Sequence, residues 1–352
     1  MAYILNDKIR GMKPYEPVKG SFHVRLDANE SFMLPNKDIA AKISSAASAA
    51  EYNRYPDPSA GEVCRAFADF YGIDAQNVTA GNGSDELISL ITGAFLMKGD
   101  KVMTLSPDFS MYNFYSFISE TKCIEYQKKP DFSIDINELI KAVNGNGVKM
   151  LIFSNPCNPT ASGLRREDVR RLISSVNALV VLDEAYMDFW DQSLIKEINS
   201  YDNLIVLRTC SKAFGMAGIR LGFAAANRVL TNALKAVKSP YNVNSVTQKI
   251  GSAVISEHAW IRSCIDMIIK SKNSLYASLK SIEQKHPEKL TVYGSVTNFV
   301  LMKMPMADFV FRSLLDKGIA VRYLGEFLRV SAGTSAENSE FIDVFKSIIC
   351  NL

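Results

Sequence analysis

Residues 204–226 read LIVLRTCSKAFGMAGIRLGFAAA. Two apolar runs, 204–207 and 221–225, enclose a polar, glycine-bearing segment that carries Lys212 and, eight residues on, Arg220. Short apolar runs bounded by turn residues read as strands buried on both faces. A lysine at the end of such a strand must be paired, reach water, or be a chemical group in its own right.

The pattern repeats upstream, where runs at 78–80, 102–105, 123–126, 150–153 and 179–182 alternate with helix-like stretches and end in polar turns. Seven runs predict an α/β fold whose large domain holds a seven-stranded, mostly parallel sheet between helices. From about Val246 the pattern changes to long amphipathic helices, such as 252–285, and then to KLTVYGSVTNFVLMKM (289–304) and GIAVRYLGEFLRVSAGT (318–334). The expected organisation is a large domain over 40–245 and a smaller α+β domain built from 1–39 and 246–352, with the first residues as an arm along the boundary. Ligands of open α/β sheets bind outside the carboxyl ends of the strands, so the residues just after each run are the candidates for chemistry.

Composition removes several classes of function. The 352 residues carry a formal net charge of only +3, with no run of lysines and arginines resembling a nucleic-acid arm. No apolar stretch is long enough to span a membrane, and Asn6 and Asp7 stand where a signal peptide needs its apolar region; a cytoplasmic protein is expected. The six cysteines lie far apart without a C-x-x-C pair, and the three histidines share no spacing with them or with one another. Reduced thiols are expected, with neither a disulfide frame nor a metal site.

At the first strand end, AGNGSDELISLITGAF (80–95) sets Gly81 and Gly83 around a tight turn and puts Ser84 where it can cap a helix. The free N–H groups of that helix start suit an anion. A dinucleotide fingerprint would need a third glycine where Glu86 stands, and no G-K pair is present for a P-loop. Asp85 and Glu86 would repel a bound phosphate, so cations must come from elsewhere. Further on, SNPCNPTASG (154–163) contains two Asn-Pro steps that hold Asn158 in an extended turn. DEAYMDF (183–189) follows four apolar residues directly, so Asp183 is expected to be at least partly buried and to need a partner, with Tyr186 close enough to face the same cavity. Thr209, Ser211, Lys212 and Arg220 supply hydroxyls and cations for the second half of an anion site.

Each feature also has a plainer structural reading: a simple turn, a helix-capping loop, a salt-bridged strand end, an exposed loop lysine. Their convergence on the carboxyl ends of one sheet favours a single ligand. A phosphate, a ring nitrogen needing an acid, a phenolic oxygen needing donors and an aldehyde needing an amine together describe pyridoxal 5′-phosphate.

Residues 25–334 resemble the fold type I aminotransferases, and most closely the histidinol-phosphate aminotransferases. The blocks that carry the resemblance are LDANE (26–30), RYPDP (54–58), GNGSDE (81–86), NPCNPTASG (155–163), LDEAYMDF (182–189), SKAFGMAGIRLGF (211–223), PYNVNSVTQ (240–248) and LRVSAGT (328–334). The resemblance implies that Lys212 carries the cofactor covalently and moves the substrate's proton. It implies that Asp183 keeps the pyridine nitrogen protonated, and that Asn158 and Tyr186 donate to the ring oxygen. Gly83, Ser84, the backbone of Asp85, Thr209, Ser211 and Arg220 would cradle the phosphate.

Phe109 falls where the family usually stacks a tyrosine on the ring. Tyr55 falls where the family reaches the partner subunit's phosphate, which implies a homodimer. Arg329 matches the arginine that holds the substrate's anionic group, and Tyr15, Asn29 and Arg322 match further positions near the substrate. Six residues separate Arg322 from Arg329 where the family often has a longer loop, and SFML follows Glu30 where an NPYG-like turn is usual. The implied reaction is transamination between a small-molecule amino donor, histidinol phosphate, and a 2-oxo acid, 2-oxoglutarate. An aromatic or other amino-acid aminotransferase and a threonine-phosphate decarboxylase are alternatives on the same scaffold, and a ligand-binding module that keeps the cofactor fold is the non-enzyme alternative.

Overall fold

The computed structural model describes residues 3–14, 16 and 18–352. The N-terminal segment is largely irregular, with a short helix at Asp7–Arg10 and the two-residue strand β1 (Val24–Arg25). The seven apolar runs then form β2 (Val78–Gly81), β3 (Lys101–Ser106), β4 (Lys122–Gln127), β5 (Met150–Ser154), β6 (Leu179–Asp183), β7 (Leu204–Thr209) and β8 (Gly222–Ala226). They make one sheet in the order β2-β8-β7-β6-β5-β3-β4. Every pairing is parallel except those of β8, which runs against both neighbours.

The absence of polar alternation in these runs has a direct cause. Val180 and Leu182 enter one apolar cluster while Val181, between them, enters another on the opposite face. Helices cover both faces, so all but the end positions of the central strands are withdrawn from water.

The remaining strands are β9 (Thr291–Val292), β10 (Phe299–Lys303), β11 (Ile319–Ala320), β12 (Arg322–Leu324) and β13 (Phe327–Ser331). Four of them form an antiparallel sheet in the order β12-β13-β10-β9, while β11 pairs with β1 in parallel. Val24 and Leu26 thereby join the apolar cluster of Val300, Leu328, Phe341 and Phe345.

In place of one helix over 252–285, two are present, Ser245–Ile255 and His258–Lys285. At the break Ser256 turns its hydroxyl back onto the Ser252 carbonyl at 2.8 Å, a local bond that competes with helix continuation. Ile250, Val254 and Ile255 pack with the large sheet. The long helix serves both cores: Ile261 and Ile268 lie in the larger, Leu275, Leu279 and Ile282 in the smaller. No helix among the described residues is long and apolar enough to cross a membrane.

Candidate active site

The ends of β2, β5, β6 and β7 bring the expected residues to one rim of the sheet. Arg220 joins them because β8 is reversed, so that its first residue, Gly222, sits opposite Thr209 at the end of β7.

At the β2 corner the helix Ser84–Ala94 presents its first N–H groups, and Leu87, Ile88 and Ile91 bury its apolar face. The expectation that Ser84 caps this helix is corrected: Gly83 is the cap residue and Ser84 begins the helix, with no side-chain capping bond. Gly83 has φ 83°, a conformation that favours glycine, and a Cβ there would lie 2.9 Å from Arg220 Nη2. A Cβ on Gly222 would lie 2.3 Å from the Ser84 nitrogen, so β8 passes directly against the helix start. Around this point Thr209 donates to Ser211 Oγ at 3.1 Å, and Arg220 Nη1 reaches the same oxygen at 3.5 Å. The two acidic residues of the first turn are engaged elsewhere. Asp85 accepts from the Tyr115 hydroxyl at 2.8 Å, and Glu86 accepts from Asn82 N at 2.6 Å and Asn242 Nδ2 at 2.8 Å.

Asp183 ends β6 with only 4% exposure. Its Oδ2 accepts from Tyr112 at 2.9 Å and its Oδ1 from the Ala185 N–H at 3.0 Å. Burial pushes its pKa up to about 6; the Tyr112 and Ala185 donors pull it down, and the Asp108 and Glu184 carboxylates add to the rise. A cation placed against this carboxylate would relieve it.

Lys212 Nζ donates to the Ala28 carbonyl at 3.1 Å and lies 5.8 Å from the centre of the Tyr186 ring. The Tyr186 hydroxyl accepts from Asn29 Nδ2 at 2.9 Å, which leaves its own hydrogen to be donated. Asn29 is itself held by Ser331 at the end of β13: its N–H donates to Ser331 Oγ at 2.9 Å. Asn158 accepts through Oδ1 from Arg329 Nη1, and since arginine only donates, the Asn158 Nδ2 hydrogens face elsewhere. Arg329 also donates to the Asp27 carbonyl at 2.8 Å and stands 5.3 Å from the centre of the Phe299 ring. Arg322 is its cross-strand partner in the β12–β13 hairpin, which turns at Gly325 and Glu326. The short connection therefore sets two cationic residues on one face of the hairpin.

Phe109 packs edge-on to Tyr112, with ring centres 5.5 Å apart. Tyr55 is 80% exposed and stacks on Tyr241 at 4.5 Å. Tyr15 lies outside the described residues.

Three contacts at this rim were not anticipated. Tyr112 bonds Asp183, as above. Asp108 holds both the amide and the hydroxyl of Ser154, and Ser154 Oγ in turn accepts from Asn158 N at 3.1 Å. On the other face of the sheet Arg208 pairs with Glu184 at 2.7 Å and Asp188 at 2.8 Å and lies over the Tyr71 ring. Burial opposes the Arg208 charge, but the two carboxylates hold it firmly protonated. This cluster ties the strand ends that carry Asp183 and Thr209, and removing one member of such a buried pair costs about 3–5 kcal/mol. An arginine standing directly after the apolar run 204–207, still within β7, was the available signal.

These residues fit pyridoxal 5′-phosphate. Two glycines leave room at a helix start where a Cβ would collide, hydroxyls and Arg220 surround that start, and a buried carboxylate that calls for a cation lies on the same rim as the lysine. Among the described residues no group of three or more His, Cys, Asp or Glu side chains could hold a metal ion.

A family model described as aminotransferase class I and II matches residues 23–345. A histidinol-phosphate aminotransferase of Clostridium novyi (strain NT) is 42% identical over 343 residues, covering 96% of this chain and 95% of that protein. One from Clostridium kluyveri is 39% identical over 351 residues, 98% of this chain and 99% of that protein. Among solved structures, a histidinol-phosphate aminotransferase from Sinorhizobium meliloti in complex with pyridoxal-5′-phosphate superimposes with a TM-score of 0.87 at 22% identity, covering 99% and 98% of the two chains.

Proposed function

We propose that this chain, which belongs to the class I and II aminotransferase family, transfers the amino group of histidinol phosphate to 2-oxoglutarate, giving imidazole acetol phosphate and glutamate. The observation that carries the reading is the junction of Asn158 and Arg329, where an anion anchor from the small sheet touches a donor from the large one. Relatives of that activity at up to 42% identity over nearly the whole chain select this substrate over others the fold could serve.

Pyridoxal 5′-phosphate, when bound, supplies a sink for the electrons left on the substrate's α-carbon. The chain supplies the rest. Gly83, Ser84, the Asp85 N–H, Thr209, Ser211 and Arg220 would hold the phosphate. The Asp183 anion would keep a proton on the cofactor's ring nitrogen. Tyr186, already an acceptor from Asn29, and Asn158, already an acceptor from Arg329, each keep a hydrogen to donate to the ring oxygen. Lys212 Nζ takes the proton from the α-carbon and returns one to complete the transfer. Phe109 would cover the ring by stacking. Arg329, with Arg322 beside it, meets the phosphate of histidinol phosphate in one half-reaction and the carboxylate of 2-oxoglutarate in the other.

Tyr55, exposed in the single chain, suits an active homodimer in which it reaches the partner's phosphate site. A cytoplasmic location accords with the sequence and with a helix set that contains no membrane span among the described residues.

The test is glutamate formation from histidinol phosphate and 2-oxoglutarate by purified protein supplied with the cofactor. Faster turnover of phenylalanine or tyrosine, or carbon dioxide release from phosphothreonine without an oxo acid, would overturn the substrate assignment. Arg329→Ala is expected to raise the KM of both substrates roughly a hundredfold, within the about 2–5 kcal/mol that truncating a buried charge partner costs. An effect on 2-oxoglutarate alone would refute the shared use of this arginine.

A further inference from the structure

The helix Met111–Ile118 meets the rim at two hydroxyls, that of Tyr115 on Asp85 and that of Tyr112 on Asp183. We propose that Tyr112 is a positioning residue: its hydroxyl fixes the Asp183 carboxylate in the orientation and charge state that the cofactor's ring nitrogen requires. The proposal rests on the aminotransferase reading above and adds to it a residue that never meets the substrate.

Tyr112 is fully buried in the apolar cluster formed with Leu87, Ile88 and Ile152, and the edge-on Phe109 ring confines its own ring. A phenol held on all sides has one use for its hydrogen, and Asp183 Oδ2 is 2.9 Å away. The opposite oxygen of the carboxylate accepts the Ala185 N–H, so both ends are fixed and the plane of the group is set. Two further carboxylates, Asp108 and Glu184, lie near enough to favour protonation of Asp183, and burial favours it more. Lys128 and Ser154 tie up Asp108, while Arg208 and Ser193 tie up Glu184. Tyr112 and Ala185 are thus the donors that keep the Asp183 anion in place. Burial and the Asp183 charge push the phenol's own pKa well up, so it stays a donor throughout the working range.

The ring-nitrogen cation binds the Asp183 anion, so cofactor affinity falls as pH drops through the carboxyl's pKa. Without the phenolic donor that pKa rises, and the fall moves to higher pH.

The experiment is a cofactor titration of apoprotein, followed by absorbance over about pH 5 to 8, for wild type and Tyr112→Phe. Expected are an upward shift of the acid midpoint by about one unit, as for loss of a hydrogen bond to a charged group, and with it an affinity roughly tenfold lower at the acid end of the range and about twofold lower at neutral pH. In an Asp183→Asn background the same substitution should have no further effect. Fluorotyrosine placed at 112, with the halogen ortho to the hydroxyl, keeps the shape but is a stronger donor and should move the midpoint to lower pH; this serves if Tyr112→Phe does not fold. Unmoved midpoints in both would overturn the proposal, since packing alone does not shift a titration. Failure of the wild type to take up the cofactor would instead remove the aminotransferase reading on which it depends.

Discussion

Lys212→Ala is expected to abolish turnover, by at least about 10⁴-fold, while the protein still folds. The size follows from the two duties proposed for one amine, covalent attachment and proton movement. The tolerance follows from what Lys212 touches: its Nζ bonds one backbone carbonyl, Ala28, and faces the Tyr186 ring without filling a core position. The check is twofold. Borohydride treatment of the loaded wild type should leave the cofactor's mass on the peptide that contains residue 212, and the variant should show none. Residual turnover above a hundredth of wild type would remove Lys212 from its place.

The second large effect is expected at Asp183. Asp183→Ala should weaken cofactor binding and lower the rate by hundreds- to thousandsfold, corresponding to about 3–5 kcal/mol for one partner removed from a buried ion pair. The pH dependence has a definite direction. In the folded apoprotein the Asp183 pKa is raised to about 6 from the ordinary 3.8, so the carboxyl weakens folding progressively as pH climbs between those values. A cation on the ring nitrogen reverses the preference and draws the pKa down. Cofactor binding is therefore expected to be strong above about pH 6 and to weaken below it, and the alanine variant should lose that dependence. Equal affinities for wild type and variant across this range would count against the assigned pairing.

Much of the candidate site's placement could be read directly because the proposed chemistry and chain order coincide in this fold. Asp183 follows four apolar residues without interruption, and Lys212 follows β7 by three positions, so the apolar runs themselves point to the rim. What escaped reading is what depends on distant parts of the chain. Tyr112 sits among aromatics in MYNFY, and nothing local distinguishes the one whose partner lies 71 positions away. Asn29 was matched by resemblance, but its tie to Ser331 spans 302 positions. Arg208 directly follows the apolar run 204–207, and nothing local shows that Glu184 and Asp188 match its charge across the face. The turn at Gly83 was misread by one residue because serine is a common cap and a glycine in the left-handed region equally able to begin a helix. Neither preference outranks the other until β8 is seen lying against the Ser84 nitrogen.

The reversed strand has one more implication, and it concerns entropy. Thr209 and Gly222 are register partners, so the segment that carries Ser211, Lys212 and Arg220 leaves the sheet and returns to it at a single point. Closing a loop costs configurational freedom, and here the ladder between β7 and β8 meets that cost when the protein folds. The cradle proposed for the phosphate would therefore be largely assembled before any ligand arrives. Cofactor affinity can then reflect contacts made with a waiting shape, with little drawn off to organise the chain around it.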